Sequence, residues 1–223
     1  MRNLVFIFTL VVCGLTAQEN NNAVFSLRPA IGLNGCQIHG DSYDGYNKLG
    51  VFAGASVNAR INEKVSLELG FYFSQKGAKH NPNPKKGDLS HYNLTLNYVE
   101  LPLTLRYMLN KRYFVNLGPS LAYLVSYHET INYTDFTGVY HFNPYEIALV
   151  SGLGRQVKDK INVEVRFTNS IRSVRDYGIV STVFYPNPVA RFFNKGFYNN
   201  ILTLLVTYNI TSSKTKSNQN VQP

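Results

Sequence analysis

The chain has 223 residues, 44% of them hydrophobic and 16% charged, with 22 Lys and Arg against 13 Asp and Glu for a formal net charge of +9. So much apolar residue excludes a disordered tail, and the lack of repeated apolar windows of about 18 residues or more excludes a polytopic helical membrane protein. With 16 Tyr, 14 Phe and 16 Gly but no Trp, the composition is that of strands and turns in one domain.

Residues 1–17 come first and read as an export address. Arg2 supplies a positive start, Leu4 to Val12 an apolar run, and Thr16 and Ala17 a small-residue exit, the pattern of a cleaved secretory signal peptide. Asn20, Asn21 and Asn22 follow without a basic stop-transfer cluster, so a membrane anchor is not expected. Cleavage leaves 21 basic and 13 acidic residues, and Cys36 as the only cysteine. No internal disulfide can form, and Cys36 reads as a small buried apolar residue.

Strict two-residue alternation then recurs along the chain, the signature of strands with two unlike faces. A weak run over Leu27–Leu33 is followed by Val51, Ala53, Ala55, Val57 and Ala59 opposite Gly54, Ser56, Asn58 and Arg60. Next come Val65, Leu67, Leu69, Phe71 and Phe73 opposite Ser66, Glu68, Gly70, Tyr72 and Ser74. Val99–Tyr107, Tyr113–Tyr127, Tyr145–Val157, Ile161–Ser170 and Ile201–Ile210 repeat the pattern, for eight strands with no helix between them. Their links alternate in length. Asn62-Glu63-Lys64, Asn110-Lys111 and Lys158-Asp159-Lys160 are tight turns, whereas His39–Lys48, Lys76–Asn93, His128–Asn143 and Arg172–Tyr198 are long.

The fold class expected is therefore all-β, an eight-stranded antiparallel up-and-down transmembrane barrel with short periplasmic turns and long extracellular loops. Three features favour lipid outside over a soluble barrel: the loop asymmetry; aromatic residues near strand ends at Tyr107, Tyr113, Tyr127, Tyr145 and Tyr208; and a balanced polar face. That face carries Arg28, Arg60, Arg106 and Arg166 against Glu68, Glu100, Glu146 and Glu164, which are expected to neutralise one another in a lumen too narrow for a water channel. Arg60, Arg106, Arg166, Glu68 and Glu164 are expected to form one network in the half nearer the short turns. The domains read as 1–17 signal peptide, 18–211 barrel and 212–223 polar periplasmic tail.

The segment Tyr98-Val99-Glu100-Leu101-Pro102-Leu103-Thr104-Leu105-Arg106-Tyr107, with Leu117-Gly118-Pro119-Ser120-Leu121-Ala122-Tyr123-Leu124, resembles the central strands of the PorT-like outer-membrane β-barrel domain family. The resemblance implies a small eight-stranded envelope barrel in the outer membrane, with no assigned activity. Chains of this kind often end on a strand with a terminal aromatic. Here Tyr208-Asn209-Ile210 is instead followed by a polar tail.

The function expected is non-enzymatic, structural or surface-binding, carried by the long loops. Loop two holds Lys76, Lys79, Lys85 and Lys86 against Asp88, and loop four holds Arg172, Arg175, Arg191 and Lys195 against Asp176. These cations are candidates for contact with phosphates of outer-leaflet glycolipid. Loop four is also aromatic, through Phe184, Tyr185, Phe192, Phe193, Phe197 and Tyr198. The alternatives are a barrel-embedded hydrolase acting on glycolipid, for which Ser126 and His128 share a face while Glu129 points away, or a subunit of a secretion or gliding assembly. No cofactor is expected: Gly152-Leu153-Gly154 sits in a strand and relieves crowding in the barrel, and the five histidines lack metal-ligand spacing. The partners expected are membrane lipid and glycolipid, the outer-membrane assembly machinery during biogenesis, and an envelope protein of unspecified kind. Nucleic acid is not expected.

Overall fold

The computed structural model describes residues 25–41, 43, 45–176 and 196–211. The expected signal peptide at 1–17 and tail at 212–223 lie outside these residues. Eight long strands make the wall: β1 (Phe25–His39), β2 (Lys48–Arg60), β3 (Val65–His80), β4 (Tyr92–Met108), β5 (Tyr113–Ile131), β7 (Tyr145–Lys158), β8 (Ile161–Ser170) and β10 (Gly196–Tyr208). Three two-residue strands, β6 (Thr134–Asp135), β9 (Arg175–Asp176) and β11 (Ile210–Thr211), extend β5, β10 and β1. Each long strand pairs antiparallel with the next, and β1 closes on β10 from Ala30↔Thr207 to His39↔Tyr198. Closure leaves the long strands without a free edge.

The tight turns fold for a local reason. The Asn62 side-chain oxygen accepts the backbone N–H of Lys64 and of Val65, both at 2.8 Å, and Asn110 does the same for Arg112 and Tyr113 at 2.8 and 2.9 Å. Asparagine at these two positions mimics a backbone turn and reverses the chain within a few residues.

The apolar alternation faces outward. Leu67, Leu69, Phe71, Leu101, Leu103, Leu105, Leu117, Leu121, Leu149 and Leu204 are all exposed on the wall, while the intervening Glu68, Glu100, Thr104, Arg106 and Asn116 are buried within it. Such an arrangement is inside-out for a soluble barrel and is what hydrocarbon requires.

On β4 this polarity reverses. Leu101, Leu103 and Leu105 point out, but Tyr92, Leu94, Leu96 and Tyr98 are buried inside, and Asn93, Thr95 and Asn97 take the outer face. The same level of β5 carries a bulge: Asn97 pairs with Ser126 and Tyr98 with Leu124, leaving Val125 unpaired. One extra residue exchanges the two faces of the strand beyond it. Ser126 and His128 are therefore exposed, and Glu129 is buried. The outward apolar stretch Val99–Tyr107 rises by about 20 Å at a strand tilt of ~40°.

Some expectations need correcting. β3, β4 and β5 run on to His80, from Tyr92 and to Ile131, so much of the expected loop is sheet. A 3-10 turn at Pro84–Lys86 interrupts the remainder. Tyr127, expected on the lipid face, turns inward after the bulge and packs against the buried cluster of Leu94, Leu96 and Phe142. Phe197 and Tyr198 are buried strand residues of β10. The polarity switch makes a sharp prediction. Leu103→Arg will destabilise the barrel in bilayers by about 2–4 kcal/mol, whereas His128→Arg, outward and exposed above the switch and beside Asp135, will change the midpoint of equilibrium denaturant unfolding little.

Candidate functional site

The lumen is filled in layers. Nearest the short turns, Glu68 draws three arginines: Arg28 at 2.9 Å, Arg106 at 3.0 Å and Arg166 at 3.9 Å. Glu164 binds the Nε of Arg166 at 2.9 Å and lies 3.6 Å from Arg106, and the Asn116 amide donates to Glu164 while its oxygen accepts from Arg106. The Arg106 guanidinium lies 4.0 Å over the Phe114 ring, a cation–π contact in a dry setting. Room for these groups comes from β7. A Cβ at Gly154 would run into the Phe114 ring, and one at Gly152 into the Glu164 carboxylate.

A waist of Phe52 tilted against Tyr72, their ring centres 4.6 Å apart, with Ala30 and Leu205, comes next. Beyond it the Lys76 ammonium sits between Glu100 at 3.1 Å and Glu146 at 3.0 Å, and both carboxylates also accept a serine hydroxyl, from Ser120 and Ser170. Toward the long loops the lumen becomes apolar, with Ile38, Ala78, Leu94, Leu96, Tyr98, Phe142 and Val174 packed together. Over that plug, Arg175 binds Glu129 through both carboxylate oxygens at 2.8 and 2.9 Å, and lies 3.9 Å from the Phe197 ring and 4.9 Å from Phe142. The Tyr92 hydroxyl also donates to Glu129.

Of the eight residues expected in the lumen, seven take part in these two charged layers: Arg28, Glu68, Arg106, Glu164 and Arg166 in one, Glu100 and Glu146 in the other. Arg60 does not. It is the last residue of β2, exposed at the barrel mouth, and makes no ion pair among the described residues. Its place in the charge balance is taken by Lys76, which had read as a loop cation and is 1% exposed. Arg28, Lys76, Arg106 and Arg166 then meet Glu68, Glu100, Glu146 and Glu164, and among the described residues the lumen is neutral. The signal for Lys76 lay in the β3 alternation, since it shares parity with Tyr72 and Ser74.

The surface cations divide too. Lys79, Lys85, Lys86 and Arg172 are exposed as expected. Arg175 is not a surface anion contact, because its guanidinium is committed to Glu129 and to three aromatic rings. Arg191 and Lys195, with Phe184, Tyr185, Phe192 and Phe193, lie outside the described residues. Asp88 in loop two is held below the usual carboxylate range, first by the Ser90 backbone N–H and then by His80. Asp135 is lowered by the Thr137 hydroxyl and backbone N–H. Ser126 accepts from Asn97, while His128 faces Thr130 and Thr137 and lies 3.9 Å from Asp135, an acid that sequence reading missed.

At the opposite mouth a recess of about 220 Å³ is lined by Arg28, Asn58, Arg60, Arg106, Phe114 and Asn162, among others. The short-turn rim around it is the more basic end of the barrel. Arg60, Lys64, Lys111, Arg112, Arg155, Lys158 and Lys160 are exposed there against Glu63 and Asp159. Among the described residues of the long-loop end, Lys48, Lys79, Lys85, Lys86, Arg172 and Arg175 nearly balance Asp41, Asp88, Glu129, Asp135 and Asp176.

Residues 16–176 match the family described as outer membrane protein beta-barrel domain. Among solved structures, Ail, the attachment invasion locus protein of Yersinia pestis, in complex with the heparin analogue sucrose octasulfate, is 10% identical over 85% of this chain and 100% of its own, with a TM-score of 0.48. Acinetobacter baumannii CarO2 is likewise 10% identical over 85% and 100%, at 0.48. Neisserial surface protein A is 13% identical over 85% and 100%, at 0.44. No curated protein sequence matches the chain.

The layered lumen predicts unequal costs. Glu68→Gln strands Arg28, takes one of two carboxylates from Arg106 and Arg166, and will lower unfolding stability by about 3–5 kcal/mol, while Arg60→Gln will leave it within about 0.5 kcal/mol. Equilibrium unfolding of both variants in detergent reads the difference.

Proposed function

Because the chain belongs to the outer membrane protein beta-barrel domain family, we propose that this small outer-membrane barrel is a closed, non-conducting, non-enzymatic protein that meets its partners through its two rims. Within the family we infer that it is a PorT-like barrel. The support is the pair of segments Tyr98–Tyr107 and Leu117–Leu124, which lie side by side on β4 and β5 through Glu100↔Ala122, Leu101↔Leu121 and Pro102↔Ser120.

The observation that carries the closed lumen is the Lys76–Glu100–Glu146 layer above the Glu68 cluster, with an apolar plug beyond both. An ion entering from either end meets side chains already neutralised by one another. Eight strands leave no spare cross-section for water beside them. Against the Ser126 and His128 pairing of the hydrolase alternative, Ser126 is bonded to Asn97, and the His128 nitrogens face the Thr130 and Thr137 hydroxyls instead of Ser126.

The short turns face the periplasm and the long loops the exterior, as strand insertion from the periplasmic side requires. Lys79, Lys85, Lys86 and Arg172 then stand at the outer surface, where phosphates of outer-leaflet glycolipid are the complementary charge. Assembly machinery is engaged during biogenesis, and an envelope protein remains a further partner of the loops.

Two measurements test this reading. Planar-bilayer recording of the wild type will show no resolved channel, and discrete conductance steps at neutral pH would refute the plug. The Lys85→Gln, Lys86→Gln, Arg172→Gln variant will bind glycolipid-containing vesicles more weakly than the wild type, by roughly fivefold for each cation near the surface. Equal binding by the two proteins removes the loops from that role.

A further inference from the structure

The turns β4–β5 and β7–β8 adjoin at the short-turn rim. The backbone N–H of Gln156 donates to the Arg112 carbonyl at 2.7 Å, and Tyr113 is registered against Arg155. Together these turns present Lys111, Arg112, Arg155, Lys158 and Lys160 against the single acid Asp159. All five cations are exposed, and none makes an ion pair among the described residues.

Arg155 is the informative member. It sits on the outward register of β7, in line with Ile147, Leu149, Leu153 and Val157, which are all exposed on the lipid face. A guanidinium on that register is tolerated only where it reaches the headgroup level. Its carbon lies 5.4 Å from the centre of the Tyr113 ring, an outward aromatic at the edge of the apolar band. Ring and guanidinium therefore mark the same depth, that of the interface. The fork of donors left over has the geometry of a phosphodiester clamp, and the neighbouring cations supply point charge around it.

The geometry points to a lipid-binding site on this sector of the wall: Arg155 on Tyr113, flanked by Arg112 and Lys158, takes the phosphate of an anionic phospholipid, whose acyl chains lie along Leu153 and Leu149. Inside the protein the charges cancel, so this patch owes nothing to lumen neutralisation. The inference rests on the membrane reading above, and in the proposed orientation it selects lipids of the periplasmic leaflet.

The test uses the folded full chain in nanodiscs of mixed phosphatidylcholine and phosphatidylglycerol, followed by native mass spectrometry of the lipids it retains. A symmetric bilayer offers the same headgroups to both rims, so the result does not depend on which end faces the periplasm; protease access to the turns in cells reads that separately. Wild type will retain phosphatidylglycerol in preference to phosphatidylcholine. Arg155→Gln will reduce the preference roughly fivefold, Arg112→Gln with Arg155→Gln and Lys158→Gln will abolish it, and Lys85→Gln with Lys86→Gln at the other rim will leave it intact. Unchanged preference in the Arg155 variant overturns the site, and so does equal loss in the Lys85, Lys86 variant, which would reduce the effect to net charge. Displacement of the lipid by inorganic phosphate alone would overturn the lipid assignment. If the triple variant does not fold, as read by heat-modifiable gel mobility, the single exposed Arg155→Gln substitution decides.

Discussion

Closing eight strands on themselves creates an interior that must be both filled and electrically neutral, and most of the other features follow from that demand. A buried guanidinium or carboxylate without a partner costs several kcal/mol. The cost is avoided here by sharing: Glu68 serves three arginines, and Lys76 serves two glutamates. The turn-side cluster alone has one cation too many and the Lys76 layer one anion too many, so each is balanced only in the presence of the other. Packing obeys the same limit. Gly152 and Gly154 carry no side chain because Glu164 and Phe114 occupy the volume a Cβ would need.

Two changes at one level set the height of the membrane-facing band. At Val125 the ladder between β4 and β5 slips by one, so that Ser126 and His128 of β5 face out and Glu129 faces in, while β4 keeps its even positions inward and there exchanges polar residues for leucines and tyrosines. The wall therefore continues past the hydrocarbon as an ordinary half-buried sheet with its own apolar core. Arg175 and Glu129 sit over that core, the guanidinium against the aromatic rings of Tyr140, Phe142 and Phe197, which joins β5 to the β9–β10 pair. The long-loop end is thus capped by packing, whereas the short-turn end opens into a shallow polar recess.

Because the lumen is neutral, the excess positive charge is expressed at the ends of the barrel. Among the described residues it is concentrated at the short-turn rim, where five cations crowd two adjoining turns. Charge at a rim acts at headgroup level, where water screens it less than in bulk and phosphates are the abundant counter-ions. The distribution separates two roles for cations in one chain, cross-bracing inside and, in the function proposed, lipid or surface contact outside.

The architecture is legible in the residue pattern. Two-residue alternation in segments such as Val65–Phe73 and Val99–Tyr107, with links that alternate between short and long, specifies strand number, direction and the face that meets lipid, because a strand's side-chain period is geometric and local. Seven of the eight lumen ions were legible for the same reason, since parity assigns them to the inner face. Where that parity ends and which ions meet emerge only in the folded barrel. Arg60 shares the register of the lumen residues but lies at its rim, and Lys76 read as a loop cation until β3 proved to continue to His80. Arg175 read as a surface cation until Glu129 was brought beside it by the bulge at Val125. Depth along the barrel axis, and contact between strands distant in the chain, depend on register and closure, and no local pattern of residues encodes either.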